Sequence, residues 1–244
     1  MHLALAQTVN RAMYRDPGGF VAGTIDLAAT LQPEANRIVV LSGSAAHDLN
    51  RAAAARVELG DRYKGLDVQY VSGLSLEGFK TFARDLPRNT ILLIRSVFED
   101  SEGRKFLPRD SAEAIAAASG APAYSVYSSH VGAGIVGGSM TTFEGIGDDV
   151  AALTEQVIGG DPPKDRIVNS SVSPMLDWRE LKRWGVDMER VPANAHLEFY
   201  DPTVWERFRL QIIGAVAIIL LQGGTSAGLI VTDRRRRTVT EALT

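Results

Sequence analysis

The sequence predicts an α/β protein built on a parallel sheet, followed by one C-terminal transmembrane helix. Three observations carry this. Strand-like and helix-like segments alternate from Thr24 onward, the runs Arg37 to Leu41 (RIVVL) and Thr90 to Arg95 (TILLIR) are almost continuously apolar, and Leu210 to Thr232 holds no charged side chain. Alternation at this spacing means right-handed βαβ crossovers, and unbroken apolar strands belong in a sheet covered on both faces.

Taken in order, residues 1 to 23 predict one short helix ending at the breaker cluster Asp16-Pro17-Gly18-Gly19, and stand as a linker or the remnant of a first lobe. Asp26 is expected to cap a short helix, DLAATLQ, before Pro33. RIVVL is the first strand, and Ser42-Gly43-Ser44 turns it into an alanine-rich helix from Ala45 to Leu59. The unit then repeats. Leu66 to Val71 reads as a strand, Ser75 as the cap of a helix reaching Arg84, and TILLIR as the next strand after the Pro87 to Asn89 break. Asp110 and Glu113 have capping-box spacing ahead of a helix from Ser111 to Ser119, and Ala123 to Tyr127 is the following strand. Gly132, Gly134, Gly137 and Gly138 read as a flexible return segment, because GAGIVGG is not a GxGxxG phosphate loop and follows a late strand. Phe143 to Ile158 is a helix closing at Gly159-Gly160, and residues 24 to 160 make up the α/β lobe. Residues 161 to 209 then form a connector, with Asp161-Pro162-Pro163 at its start, a short amphipathic helix over Asp177 to Trp184, and loop and extended chain to Tyr200.

The stretch from Leu210 to Thr232 has 23 residues. As a helix it reaches about 35 Å, enough to cross a hydrocarbon core of about 30 Å with some tilt. Trp205 and Phe208 precede it at headgroup level, and Arg234 to Arg237 follow it, so the tail over residues 233 to 244 is expected in the cytoplasm and the lobe outside. Gly224 and Gly228 have GxxxG spacing, which suits either a pairing face for a homodimer through this helix or the ordinary composition of a membrane helix. MHLALAQTVNRAMYRD lacks a basic n-region before a long apolar core and does not read as a signal peptide.

Composition narrows the chemistry. A formal net charge of -3 gives no basic footprint for nucleic acid, and the one arginine block is explained by membrane topology. The chain has no cysteine, so disulfides, thiolate nucleophiles and cysteine metal sites are excluded. His130 has no histidine or carboxylate at metal-ligand spacing, and neither SSVSP nor GGS has the context of a serine nucleophile, so no catalytic residue, metal or cofactor is expected.

The order of features from Gly23 to Arg237 resembles a known family. The segments TIDLAATLQPEANRIVVLSG, NTILLIRSVFEDSEGRKFLPRD and GAPAYSVYSSHVGAGIVGGSMTTFEGIGDDVAALTEQVIGGDPP are similar to the second lobe and return crossover of the periplasmic sugar-binding-protein-like fold. The version they resemble more closely is the extracytoplasmic sensor region of bacterial membrane histidine kinases. There a DWR helix, a segment like PTVWERFRLQI, a transmembrane helix and an arginine cluster follow in that order; Asp177-Trp178-Arg179, Pro202 to Ile212 and Arg234 to Arg237 stand in those places. The resemblance implies a bacterial inner-membrane protein with a periplasmic ligand-sensing lobe. Against the family pattern, only 22 residues precede Gly23, where a complete first lobe is expected, and seven follow Arg237, where a kinase core is expected.

Open α/β sheets bind ligands beyond the carboxyl ends of their strands. At those ends stand Ser44, Ser72, Phe98, Glu99, Tyr127 and His130, whose hydroxyls, carboxylate and aromatic faces suit a small, sugar-like polar ligand. Serine is also an ordinary turn residue after a strand. Two functional readings follow: a sensor signalling through its C-terminal helix, and the substrate-binding component of an ABC-type importer. A truncated fragment without ligand function is the third.

Overall fold

Eight strands form one sheet in the computed structural model, which describes residues 20–141, 143–159, 172–202 and 204–241, and of 143–144, 204–206 and 226–241 the backbone only. Strands and helices follow as α1 (Phe20–Leu31), β1 (Arg37–Ser42), α2 (Ala46–Leu59), β2 (Arg62–Tyr63), β3 (Leu66–Val71), α3 (Leu76–Arg84), β4 (Thr90–Ser96), α4 (Pro108–Ala118), β5 (Ala123–Tyr124), β6 (Gly137–Met140), α5 (Phe143–Ile158), β7 (Ser173–Asp177), α6 (Trp178–Trp184), β8 (His196–Glu198) and α7 (Val204–Glu241). The chain divides into two units, residues 1–200 and 201–244.

The sheet order is β2-β3-β1-β4-β5-β6-β7-β8. β3, β1, β4, β5 and β6 run parallel, so the expected parallel α/β architecture is present. β2 is antiparallel to β3, β7 is antiparallel to β6, and β8 follows β7. The order reverses between β1 and β4, which makes the gap above these two strands the topological switch point. Alternation sorts the apolar side chains onto two faces. Ile38, Val40, Ile91, Leu93 and Tyr124 pack with Val21, Ile25 and Leu31 of α1, Ala55 and Leu59 of α2, and Leu181 of α6. Val39, Leu41, Leu92 and Ile94 pack with Phe79 and Ala83 of α3 and Ala112, Ile115 and Ala116 of α4.

Several expectations are corrected. Asp26 lies inside α1 and caps nothing; the helix runs from Phe20 with Val21 buried, so the lobe includes residues assigned to a linker. α4 starts at Pro108, whose fixed φ suits the first helical turn, and Asp110 falls within it. Ser111 is buried, its hydroxyl donating to the Val97 carbonyl at 2.8 Å. The β5 ladder stops at Tyr124, though Tyr127 makes an isolated parallel bridge to Thr141. Gly137 and Gly138 are no flexible return. They are buried strand residues, and a Cβ on Gly138 would stand 1.9 Å from the Ser125 carbonyl oxygen. The connector assigned to 161–209 contains β7 and β8 of the same sheet, and the first unit extends to Tyr200. One cap stands as expected, Ser75, which accepts from Gly78 N at 3.2 Å; Asp177, expected inside its helix, instead caps α6 and accepts from Arg179 N at 2.9 Å. The expected helix before Gly19 and the connector start at Asp161 lie outside the described residues.

In the second unit, α7 is one helix of 38 residues. Its stretch Arg207–Thr225 is long and apolar enough to cross a membrane, and none of it is buried within the protein. Ile219, Leu220 and Leu221 are about two-thirds exposed, which in water would leave a large apolar surface uncovered.

Candidate functional site

The carboxyl ends of the parallel strands form a crest, and its centre is organised by a residue absent from the expected set. Asp48, in the first turn of α2, is fully buried. It accepts from Ser96 Oγ at 2.6 Å and from Phe98 N at 3.0 Å, tying the end of β4 to the start of α2 across the switch point. The main chain completes the junction: Gly43 N donates to the Ser96 carbonyl and Ser44 N to the Glu99 carbonyl, each at 2.7 Å. Gly43 must be glycine for this approach, since a Cβ there would meet Asp48 Oδ2 at 2.4 Å and the Glu99 oxygen at 2.7 Å. The loop after β4 is held by a second buried carboxylate. Burial pushes the Asp100 pKa up, but donors from Leu76 N, the Arg104 side chain and backbone, and Glu102 N outweigh it and leave the group below its usual range.

Around this junction the structure brings together most of the expected residues. Phe98 packs edge-on against His47, ring centroids 4.1 Å apart. Glu99 forms an antiparallel bridge with Lys105. Ser44 lies beside them, its buried Oγ without a partner among the described residues. Tyr127 is half-buried, and two guanidinium groups face its ring: Arg51 of α2 at 5.4 Å and Arg95 of β4 at 5.8 Å from the centroid. Arg51 also donates to the Tyr127 hydroxyl.

His130 stands behind Tyr127, its ring centroid 5.3 Å away, and is almost fully buried. Its Nδ1 lies 2.8 Å from Ser125 Oγ. Burial, with a smaller contribution from the Arg109 charge, pushes its pKa down to about 4, so the ring is neutral at physiological pH. His130 therefore positions Tyr127 and offers little surface to a ligand. Ser72 is exposed at the end of β3, and no side-chain hydrogen bond joins it to the cluster among the described residues.

Asp48, Arg51, His47 and Arg95 were not among the expected residues, yet each leaves a trace in the sequence. His47 and Arg51 are four apart on the helix that follows β1, which sets them on one face. Arg95 ends an otherwise apolar strand, and a cation there, only 1% exposed, needs a reason. Among the described residues, no group of His, Asp and Glu is placed to hold a metal ion.

No family model matches the chain, and no curated protein does. Solved structures do resemble it. The ligand-free, open structure of a substrate binding protein with adhesive properties from Clostridium difficile has a TM-score of 0.55 at 15% identity, covering 73% of this chain and 59% of that one. A conserved domain protein from Vibrio cholerae gives 0.49 at 14% identity over 71% and 58%, and an ABC domain in complex with L-Trp from Streptococcus pneumonia gives 0.48 at 15% over 73% and 61%. The chain spans about three-fifths of the length of each. At 15% identity the likeness to the Clostridium difficile protein is one of fold, and the described lobe shares a mixed α/β, mostly parallel architecture with it.

Proposed function

We propose that the chain is a membrane-anchored ligand-sensing protein without enzymatic activity. The observation that carries this is the junction at the switch point: Asp48, Ser96, Phe98 and Gly43 lock the crest residues in place, and a helix able to cross a bilayer follows in the same chain. A small polar ligand, sugar-like or otherwise hydroxyl-bearing, is received by Ser44, Phe98, Glu99 and Tyr127. Binding favours one arrangement of the lobe over another, and only that difference in affinity biases the helix. The proposal places the lobe in the periplasm, the arginine-rich tail in the cytoplasm, and a second copy of α7 beside the first.

The importer reading has one specific support, the likeness to a solved substrate binding protein, which the fold alone shares with sensors. Topology separates both readings from a soluble protein, and the response to ligand then separates them from each other. Because the chain has no cysteine, Ser101→Cys and Thr240→Cys can each be labelled singly in intact spheroplasts with a membrane-impermeant maleimide. Labelling of position 101 alone is expected; equal labelling of both overturns the topology. Isothermal titration of the full chain in detergent against sugars and small acids then tests binding. Ligand-dependent change in crosslinking between Gly224→Cys copies favours a sensor, and ligand-dependent association with a permease favours an importer.

A further inference from the structure

Two guanidinium groups meet on the Tyr127 ring at the crest, and one of them, half-buried Arg51, has donors to spare. Arg51 carries five N–H donors in a rigid fork, and the Tyr127 hydroxyl takes one of them. Among the described residues, no carboxylate pairs with Arg51. Of the acidic groups at the crest, Asp48 is buried against Ser96 and Phe98, Asp100 is bound by Arg104, and Glu99 stands on the loop bridged to Lys105. Arg95 adds a second guanidinium on the same ring, and neutral His130 backs it.

Tyr127 thus serves as a platform. Its face draws both cations, which the ring quadrupole favours, and its hydroxyl fixes the orientation of Arg51. With one donor committed, the fork is held in place and loses little rotamer freedom on meeting a ligand. Its remaining N–H groups match a planar carboxylate or a phosphate oxygen pair better than a neutral hydroxyl.

Resting on the site proposed above, we infer that its ligand carries an anionic group, a carboxylate or phosphate, received by Arg51 on the Tyr127 platform. A neutral sugar would use the crest hydroxyls and leave this charge unmatched. Arg51 then determines specificity, while Phe98 and His47 supply the apolar and aromatic side of the site.

The test uses the full chain in detergent micelles, with benzoate and inorganic phosphate as anionic probes and benzamide and glucose as neutral ones. At least one anion is expected to bind about tenfold more tightly than either neutral probe, with amide-exchange protection at residues 125–131. Arg51→Gln should erase that preference, and Arg51→Lys, which keeps the charge but not the fork, should retain part of it. Unchanged thermal melting shows that both variants fold. If glucose or benzamide binds as tightly as the anions and Arg51→Gln changes nothing, the inference falls while the ligand site survives. If no probe of either class protects the crest at millimolar concentration in a folded sample, both fall.

Discussion

The Arg179 guanidinium stacks over the Phe199 ring at 3.7 Å from its centroid, and the same arginine is held by the buried carboxylate of Asp177 through Nη2 at 2.8 Å. Phe199 has a φ of 55°, unusual for a bulky residue, and its ring fills the space a side chain at Gly132 would need. The residue after β8 is thereby packed against Gly132, in the segment between β5 and β6. Arg179→Ala should cost about 2 kcal/mol, because it removes the stack and leaves buried Asp177 with only a backbone donor. A double-mutant cycle with Phe199→Ala, read by urea denaturation, should give a coupling of about 0.5–1 kcal/mol. A coupling near zero would mean that the two side chains are neighbours without mutual dependence.

The Asp48 junction should be the more costly one to break. Asp48→Ala strands the Ser96 hydroxyl and the Phe98 amide in a buried site, which predicts a loss of about 2–4 kcal/mol. Ser96→Ala removes one donor and leaves the carboxylate its backbone partner, so about 1 kcal/mol is expected. Chemical denaturation midpoints of the two variants give the order directly.

Two glycines should respond in opposite directions. Gly138→Ala forces a Cβ into the Ser125 carbonyl, so β5 and β6 cannot stay paired, and loss of soluble folded protein is expected. Gly147, on α5, has open space where a Cβ would stand, with nothing within 4 Å, and Gly147→Ala should stabilise by about 0.5–1 kcal/mol through helix propensity. Circular dichroism melts distinguish the outcomes.

Acid should weaken the lobe through His130. Its folded pKa of about 4 lies below the ordinary histidine value of 6.5, so the unfolded chain binds the proton more readily. The stability held by the neutral ring is complete above pH 6.5 and declines as the pH falls toward 4, by on the order of 3 kcal/mol in total. Melting temperatures of the wild type should drop across that window, and those of His130→Gln should drop less. Parallel curves would assign the acid sensitivity to other groups.

Membrane residence should hinge on the apolar stretch of α7. Ile219→Arg places a charge near its middle, at about 2.5–3.5 kcal/mol for a central position. The fraction resisting alkaline carbonate extraction should fall at least tenfold. Retention at the wild-type level would show that the helix does not cross the bilayer there.

The parallel core was legible because its signal is local: RIVVL and TILLIR are apolar on both faces, and Ser75 caps the helix it precedes. β6 escaped because GGSM has neither β-branching nor alternation; its glycines are chosen by how closely neighbouring backbones approach, which is a property of the fold and not of the segment. β7 and β8 escaped because strands of five and three residues, SPMLD and HLE, are defined by ladder partners that lie far along the chain. At the crest, ring and hydroxyl residues stand out in loops, whereas Asp48 and Arg51 look like ordinary solvated helix charges until the sheet order sets them over the switch point.

The reversal at β7 has a practical consequence. Since β7 and β8 run against the other long strands, β8 ends at the opposite margin of the sheet from Ser44, Phe98 and Tyr127. A lobe ending at Tyr200 and carrying a surface tag there would therefore be held by the margin away from Ser44, Phe98 and Tyr127.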